Sequence, residues 1–228
     1  MKTEFLGTRG KIKPSAPGYK NHTGVLIDDQ LLFDVGEAEF LRLPHQVILF
    51  THYHPDHAFF VSADESFEVA TPHYGPESHP LLPHVRIFDT ALGWGDFRIT
   101  CFPVIHALNL QSLGYVIEKN GKRVMLTGDV AWIEKAVLDK LPSMDLVCTE
   151  ATFINKGGRI NRNDGKIFGH TGVPDLIRIL SRVTNRIAFA HYGEWFFSSY
   201  PNGPQMIKEM TPAGMELIPA KDGTIVRL

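Results

Sequence analysis

The sequence predicts an α/β (α+β) fold whose strands carry functional side chains to one edge. Short apolar runs recur along the chain, with helical apolar patterns between some of them. Turn signals rich in Gly, Asn and Pro separate these segments. Four of the apolar runs are followed by His or Asp: 47–50 by His52 and His54, 100–104 by His106, 124–127 by Asp129, and 187–190 by His191. Because α/β proteins deliver functional residues at one edge of the sheet, we expect these side chains to meet.

The composition is that of a folded protein with a full hydrophobic core. The chain has 228 residues, 43% of them hydrophobic, and we expect one domain over residues 1–228. A net charge of −2 gives no general attraction to nucleic acid or an anionic membrane. The first residues do not resemble a signal peptide, and no apolar run approaches the roughly 20 residues that span a bilayer. Cys101 and Cys148 lie in apolar runs, which is typical of buried thiols. We therefore expect a cytoplasmic protein without a membrane partner.

Apolar runs and alternating apolar residues, bounded by turn residues, predict the strands. In chain order these are 5–7, 24–28, 31–36, 47–50, 97–104, 113–118, 122–127, 145–149, 186–190 and 225–228. A tight turn at 28–30 joins the second and third of them as a hairpin. Asn120-Gly121 is a strong two-residue turn signal and joins 113–118 to 122–127 as another hairpin.

Helices are predicted where the apolar spacing changes to that of one helical face. A helix through 58–63 is expected to start at Pro55, helix 134–141 stops at Pro142, and a third begins at 171–175 and runs to Val183. The segments 69–83 and 155–169 are predicted to be loops. Five histidines have no partner at metal-ligand spacing and are expected to be ordinary loop or surface residues: His22, His45, His73, His79 and His84.

Two basic loops and one aromatic cluster each allow two interpretations. The first loop carries Arg9, Lys11 and Lys13, and the second carries Lys156, Arg159 and Arg162. These side chains either contact substrate phosphates or face water, and water is slightly favoured for the first loop. The cluster Tyr192–Tyr200 either stacks against a base or covers the edge of the core or a subunit interface. The sequence leaves both questions open.

The segment 51–57 has the residue types of a metal site. His52, His54, Asp56 and His57 occur within six residues, directly after the apolar strand 47–50. Alternate residues of a strand face one way, so His52 and His54 share a face. Asp56 and His57 follow Pro55, where the chain turns, and can reach a neighbouring position. Imidazole and carboxylate suit zinc, manganese or iron. Because the two pairs reach neighbouring positions, the segment can supply ligands to two adjacent metal ions.

The pattern His-x-His-x-Asp-His after an apolar strand, with His106, Asp129 and His191 following in order, resembles the motifs of the metallo-β-lactamase superfamily. The resemblance implies a four-layer αββα sandwich with two divalent ions, zinc first and manganese or iron as alternatives, at one edge between the sheets. By the resemblance, His52, His54 and His106 hold one ion, Asp56, His57 and His191 hold the other, and Asp129 bridges both. Asp34 in Asp34-Val35-Gly36 matches an early Asp-x-Gly element and is expected to orient ligands.

Outer residues resemble the ribonuclease Z branch and its smaller phosphodiesterase relatives. Glu150 and Gly169-His170-Thr171 match the pair that helps to protonate the leaving alkoxide in that branch, and Asp56 is expected to orient the attacking water. Only 22 residues separate His106 from Asp129, so the tRNA-grasping arm of ribonuclease Z is absent from this interval. The resemblance therefore implies a compact phosphodiesterase acting on a small cyclic or nucleotide-like phosphodiester, or on RNA.

Other functions remain open from the sequence. Superfamily members cleave lactones and thioesters with similar metal ligands, so a lactonase or thioesterase is the first alternative. A non-catalytic, metal-dependent nucleic-acid-binding protein is the second. The sequence also leaves open whether the chain forms a homodimer.

Overall fold

The computed structural model describes residues 1–63 and 67–228. Its strands, in chain order, are β1 Lys2–Gly7, β2 Gly24–Ile27, β3 Leu31–Phe33, β4 Val47–Leu49, β5 His73–Gly75, β6 Arg86–Ile87, β7 Ala91–Trp94, β8 Phe97–Val104, β9 Ser112–Lys119, β10 Lys122–Leu126, β11 Leu146–Ala151, β12 Arg159–Asn163, β13 Lys166–His170, β14 Arg186–Tyr192, β15 Glu216–Pro219 and β16 Thr224–Arg227. Its α-helices are α1 Phe60–Ala63, α2 Lys135–Leu138, α3 Val173–Leu180, α4 Glu194–Ser198 and α5 Gly203–Lys208.

Two seven-stranded sheets form the centre of the molecule. The first has the order β16-β1-β2-β3-β4-β5-β6, and the second has the order β15-β14-β11-β10-β9-β8-β7. In the second sheet β10, β11 and β14 are mutually parallel, and two antiparallel pairings make β8 run in the same direction. The carboxyl ends of β8, β10, β11 and β14 therefore lie at one edge, as the sequence predicts.

Helices cover the outer face of each sheet, which confirms the four-layer arrangement. Alternate residues of β4 and its extension face opposite ways: Val47 and Leu49 pack between the sheets, whereas Ile48 and Phe50 pack outward against Phe60 of α1. This two-sided burial explains the continuous apolar run at 47–50, because a strand covered on both faces needs apolar residues at every position. On the other sheet, the amphipathic helix α3 packs against the outer face.

Several predicted elements differ from the observed ones. Pro55 starts a series of turns, and the helix begins only at Phe60. The connection 69–83 contains the short strand β5, in which His73 is buried and its Nδ1 donates to the carbonyl of Thr71, so the expectation of a loop or surface histidine was wrong.

The segment 155–169, predicted to be a loop, contains β12 and most of β13. These strands form a separate two-stranded sheet that neither large sheet joins. β12 is largely exposed and β13 is mostly half-buried, so neither carries the apolar alternation by which buried strands are predicted. A turn signal was nevertheless present, because Asp164 and Gly165 occupy the hairpin turn with positive φ angles of 47° and 78°.

The aromatic cluster is mainly part of the core. Tyr192 and Phe196 are fully buried, and their rings stack with centroids 3.9 Å apart. Trp195 donates its indole N–H to the carbonyl of Ala151. Tyr200 at the end of the cluster is exposed. Within the described residues, no helix is long and apolar enough to cross a membrane.

Candidate metal centre

The residues of the central motif meet those from the second sheet between the two layers. His52 and His54 follow β4, His106 follows β8, Asp129 follows β10, and His191 lies near the end of β14. The edge at which these strands end therefore brings together side chains up to 139 positions apart in sequence. All are buried except His54, which is partly exposed.

One group of ligand atoms consists of three imidazole nitrogens and one carboxylate oxygen. His54 Nδ1 lies 3.1 Å from His52 Nε2 and 3.0 Å from His106 Nε2. Asp129 Oδ2 lies 3.7 Å from His52 Nε2 and 3.5 Å from His106 Nε2. All four ligand atoms lie within 4.8 Å of one another.

A second group lies on the other side of Asp129. It contains Asp56, His57 and His191. Asp56 Oδ2 is 2.8 Å from His191 Nε2, and Asp129 Oδ1 is 3.3 Å from His57 Nε2 and 3.4 Å from His191 Nε2. Asp129 thus directs one oxygen to each group, as a bridging carboxylate does.

Hydrogen bonds made by Nδ1 fix the tautomer of two of the candidate ligands. His57 Nδ1 donates to Asp34 Oδ2 at 2.7 Å, and His106 Nδ1 donates to the carbonyl of Gly169 at 2.9 Å. Since both partners can only accept, Nδ1 carries the proton in each ring. A neutral ring then has its Nε2 lone pair available toward the groups described above.

The donor set fits divalent metal ions. Burial lowers the pKa of His52 well below its ordinary value, and burial together with the nearby His106 lowers the pKa of His54 to about 4. Three neutral imidazoles then bring nitrogens to within about 3 Å of one another, an arrangement that a cation between them stabilises. His57 Nε2 and Asp129 Oδ1 are also buried without a hydrogen-bond partner in the structure. Imidazole and carboxylate ligands suit zinc, manganese and iron.

Glu150 and His170 form a pair beside the two groups. Glu150 Oε2 accepts from His170 Nδ1 at 2.8 Å, while Glu150 Oε1 accepts from the backbone N–H of Val130. Burial disfavours the charged imidazole, but the Glu150 carboxylate outweighs burial and raises the pKa of His170 to about 9. Each of the two residues also has a possible ligand atom within 4.8 Å of atoms of Asp129 and His191. Because both Glu150 oxygens already accept hydrogen bonds, the pair is better suited to proton transfer than to metal binding.

Two threonines that the sequence did not single out contact Asp34 and the candidate ligand His191. Thr51 donates its hydroxyl to Asp34 Oδ2 and its N–H to Asp34 Oδ1, both at 2.8 Å. The hydroxyl of Thr152 lies 2.9 Å from His191 Nδ1. Thr51 adjoins the central motif, but Thr152 is 39 positions from His191 and carried no local signal.

Replacing Asp34 by asparagine is expected to weaken metal binding by roughly 10–100-fold, the usual effect of removing a group that orients a ligand. The amide has a single accepting oxygen, so it cannot accept from the Thr51 N–H on one side and from the Thr51 hydroxyl and His57 on the other. A titration against a competing chelator measures the change. Asp28→Asn is the matched control, because Asp28 also has a positive φ but lies in the β2–β3 turn. Equal losses in the two variants would contradict the assigned role of Asp34.

The first basic loop forms one wall of a cavity beside the ligands. This polar cavity has a volume of about 190 Å³, and its lining includes Lys11, Asp56, Asp129, Thr152, His170 and His191. Gly10 permits the close approach, because a Cβ there would lie 3.0 Å from His191 Cε1. The described structure therefore places Lys11, an exposed side chain, at the mouth of the site.

The other basic residues lie elsewhere. The Arg9 guanidinium donates to the carbonyls of Lys20 and Ile12 at 2.8 and 2.7 Å, so it holds its own loop together. Lys13 is exposed and lies outside the polar cavity. The second loop's basic side chains are exposed on or near the β12–β13 hairpin and do not line the polar cavity either: Lys156, Arg159 and Arg162.

Comparisons with known proteins agree with this geometry. A family model described as the beta-lactamase superfamily domain matches residues 38–192. The chain is similar in structure to the metallo-beta-lactamase fold protein YhfI from Bacillus subtilis, with 20% identity and a TM-score of 0.70 over 99% of this chain and 98% of that one.

Two further solved structures show the same fold. Human tRNase Z, short form, has 15% identity and a TM-score of 0.66, covering 100% of this chain and 99% of that one. A diphosphatase from the PhnP family has 16% identity and a TM-score of 0.69, covering 100% and 97%. No curated protein matches the sequence. At these identities the likeness concerns the fold.

Proposed function

The chain belongs to the beta-lactamase superfamily, since the family model matches more than half of it, and from this premise we propose that it is a dinuclear, metal-dependent phosphodiesterase. Residues 1–228 act as one catalytic domain in this proposal, because both sheets supply ligands. The substrate is a small cyclic or nucleotide-like phosphodiester, or RNA. Two structures with the same fold support chemistry at phosphorus, as they are named a tRNase Z and a diphosphatase.

The observation that carries the proposal is the Glu150–His170 pair. A phosphodiester has a poor leaving group, because the departing alkoxide must gain a proton. His170 Nδ1 lies 2.8 Å from Glu150 Oε2, which holds the ring, and 3.9 Å from Asp129 Oδ2. A proton donor therefore lies next to the ligand groups. Hydrolysis of a lactone or a thioester depends less on a group that protonates the leaving atom. The pair therefore favours phosphodiester hydrolysis over the other reactions of this fold.

The remaining residues have separate roles in the proposal. One ion would be held by His52, His54 and His106, and the other by Asp56, His57 and His191. Asp129 would contribute one oxygen to each group. When bound, the two ions lower the pKa of water toward neutrality and neutralise charge on the attacked phosphate. Asp56 lines the polar cavity and orients the attacking water there. His170 delivers its proton to the leaving oxygen.

The chain between His106 and Asp129 favours a small substrate. The strands β9 and β10 occupy most of that interval and pair with each other within the second sheet. The segment in which ribonuclease Z carries its tRNA-grasping arm is thus part of the sheet in this chain. A compact substrate needs no such arm.

Hydrolysis of an aryl phosphodiester by protein loaded separately with zinc and with manganese tests the proposal. Turnover that requires the metal supports it and directs further work to cyclic nucleotides and short RNA. If protein shown to hold two ions is inactive on the diester with either metal, the proposal fails. Lactones and thioesters then become the substrates to examine.

Replacing Lys11 by methionine is expected to raise the KM for an anionic diester by roughly tenfold. This corresponds to the lower end of the about 1.5–3 kcal/mol that a charge-assisted hydrogen bond contributes, because Lys11 is exposed to water. Lys11 lines the polar cavity and can contact a phosphate oxygen. Steady-state kinetics of the purified variant measure the change. Lys13→Met is the matched control, since Lys13 belongs to the same loop but does not line the cavity. An equal change in both variants would show that only the overall charge matters.

A further inference from the structure

A second depression opens on the other side of His54 and His170. This apolar groove has a volume of about 420 Å³, and its lining includes His54, His106, Leu108, Leu110, Phe168 and His170. It shares two histidines with the polar cavity but contains neither Asp56 nor Lys11. The site is therefore asymmetric: charged groups line one side, and aliphatic and aromatic side chains line the other.

The apolar side chains of the groove do not belong to the described hydrophobic core. Leu108, Leu110 and Phe168 are each partly exposed, and none is a member of the three core clusters. Packing in the hydrophobic core therefore does not explain why these three positions are apolar. Apolar residues gathered in a concave surface beside catalytic groups are typical of a ligand pocket.

Two hydrogen bonds, one between backbone groups and one from a side chain, hold the two walls of the groove together. Gly169 donates its N–H to the carbonyl of His106 at 2.8 Å, and His106 Nδ1 donates back to the carbonyl of Gly169. Gly169 has a φ of +118°, and a Cβ there would lie 2.1 Å from the carbonyl oxygen of Arg159. These contacts place Phe168, on β13, opposite the segment that carries Leu108 and Leu110. The groove is thus preformed next to a ligand histidine.

The positions of Asp56 and His170 indicate which side of the phosphate the groove faces. In hydrolysis of a phosphodiester, the water oxygen bonds to phosphorus, and the bond to the leaving oxygen breaks with its electron pair. The water loses a proton to solvent, and the leaving oxygen takes one from His170. Attacking and leaving oxygens lie on opposite sides of phosphorus. Asp56, which orients the water, lines only the polar cavity, whereas His170 also borders the groove.

We infer that the apolar groove binds the leaving alcohol, so that the enzyme selects phosphodiesters whose leaving group carries a planar apolar ring system, such as an aryl group or a nucleobase. The inference rests on the proposed phosphodiesterase function. The groove residues Leu108, Leu110 and Phe168 then determine which of two ester bonds breaks.

A mixed diester tests this directly. The substrate carries one phenyl and one naphthyl group, substituted so that the two leaving alcohols have matched acidity. Chromatography of the products gives the ratio of naphthol to phenol released, which does not depend on the amount of folded enzyme. The wild-type protein is expected to release naphthol in about tenfold excess, because the larger ring buries more apolar area in the groove.

Variants of the groove are expected to lose this selectivity. Leu108→Ser and Phe168→Ser each bring the ratio to within about twofold of unity. Ile160→Ser is the matched control, because Ile160 is exposed on the neighbouring strand β12 and lines neither depression. It keeps the wild-type ratio.

The outcomes separate the two proposals. Equal release by the wild-type protein, an excess of phenol, or an unchanged ratio in both groove variants overturns the groove inference while leaving the phosphodiesterase function intact. Failure to cleave either bond in metal-loaded protein overturns both.

Discussion

Alanine at Asp129 is expected to reduce turnover of an aryl phosphodiester by roughly 10³-fold, since metal-assisted charge stabilisation amounts to several kcal/mol and each 1.36 kcal/mol is tenfold in rate. Asp129 directs Oδ2 to His52 and His106 and Oδ1 to His57 and His191. No other described side chain faces both ligand groups in this way. The variant is also expected to bind less metal, which elemental analysis of the purified protein measures.

Asp129→Asn separates charge from shape. The asparagine side chain has nearly the same volume but no negative charge, so it is expected to lose most of the turnover while keeping the fold. Thermal unfolding of both variants shows whether the sheets remain intact. Near-wild-type turnover in a folded Asp129→Ala protein with full metal content would show that Asp129 is not part of the catalytic site.

His170→Ala is the second change with a large expected effect. General acid catalysis contributes roughly 10²–10⁴-fold, so an alkyl diester is expected to lose turnover by that factor. An aryl diester, whose leaving group is stable without a proton, is expected to lose far less. The ratio of alkyl to aryl turnover therefore reports proton donation, and a purely structural role of His170 does not change it.

The matched variant is Glu150→Gln. Its amide keeps the contact with the N–H of Val130 but presents a donor to His170 Nδ1, which moves the ring proton to the other nitrogen and removes the neighbouring charge. The alkyl-to-aryl ratio is expected to fall in the same direction as in His170→Ala, by a smaller factor. If His170→Ala slows both diesters equally, the pair does not protonate the leaving group.

The sheets and the positions of the candidate ligands were predictable because their signals are local. Apolar runs such as 47–50 predict strands wherever both faces are buried, and the sequence of β10 places Asp129 directly after its end. The turn Asn120-Gly121, with φ angles of 51° and 73°, has the conformation expected for a two-residue hairpin. Where neither face of a strand is well buried, as in β12 and β13, the periodic signal disappears and the prediction fails.

The sequence also determined the class of site. His52, His54, Asp56 and His57 are close along the chain, and the fold brings His106, Asp129 and His191 to them at one sheet edge. Which ions these residues hold, and in what number, stays a prediction that metal analysis tests. The family match over residues 38–192 confirms the superfamily expected from the motif.

Only the tertiary structure decided how neighbouring residues divide their roles. Arg9 and Lys11 have similar sequence signals, yet Arg9 turns inward to carbonyls of its own loop while Lys11 faces the polar cavity. The apolar groove depends on contacts between His106 and Gly169, 63 positions apart. Residue type and local spacing determine strands and candidate ligands, because these depend on near neighbours. The direction of a side chain and the walls of a pocket depend on residues that only folding brings together.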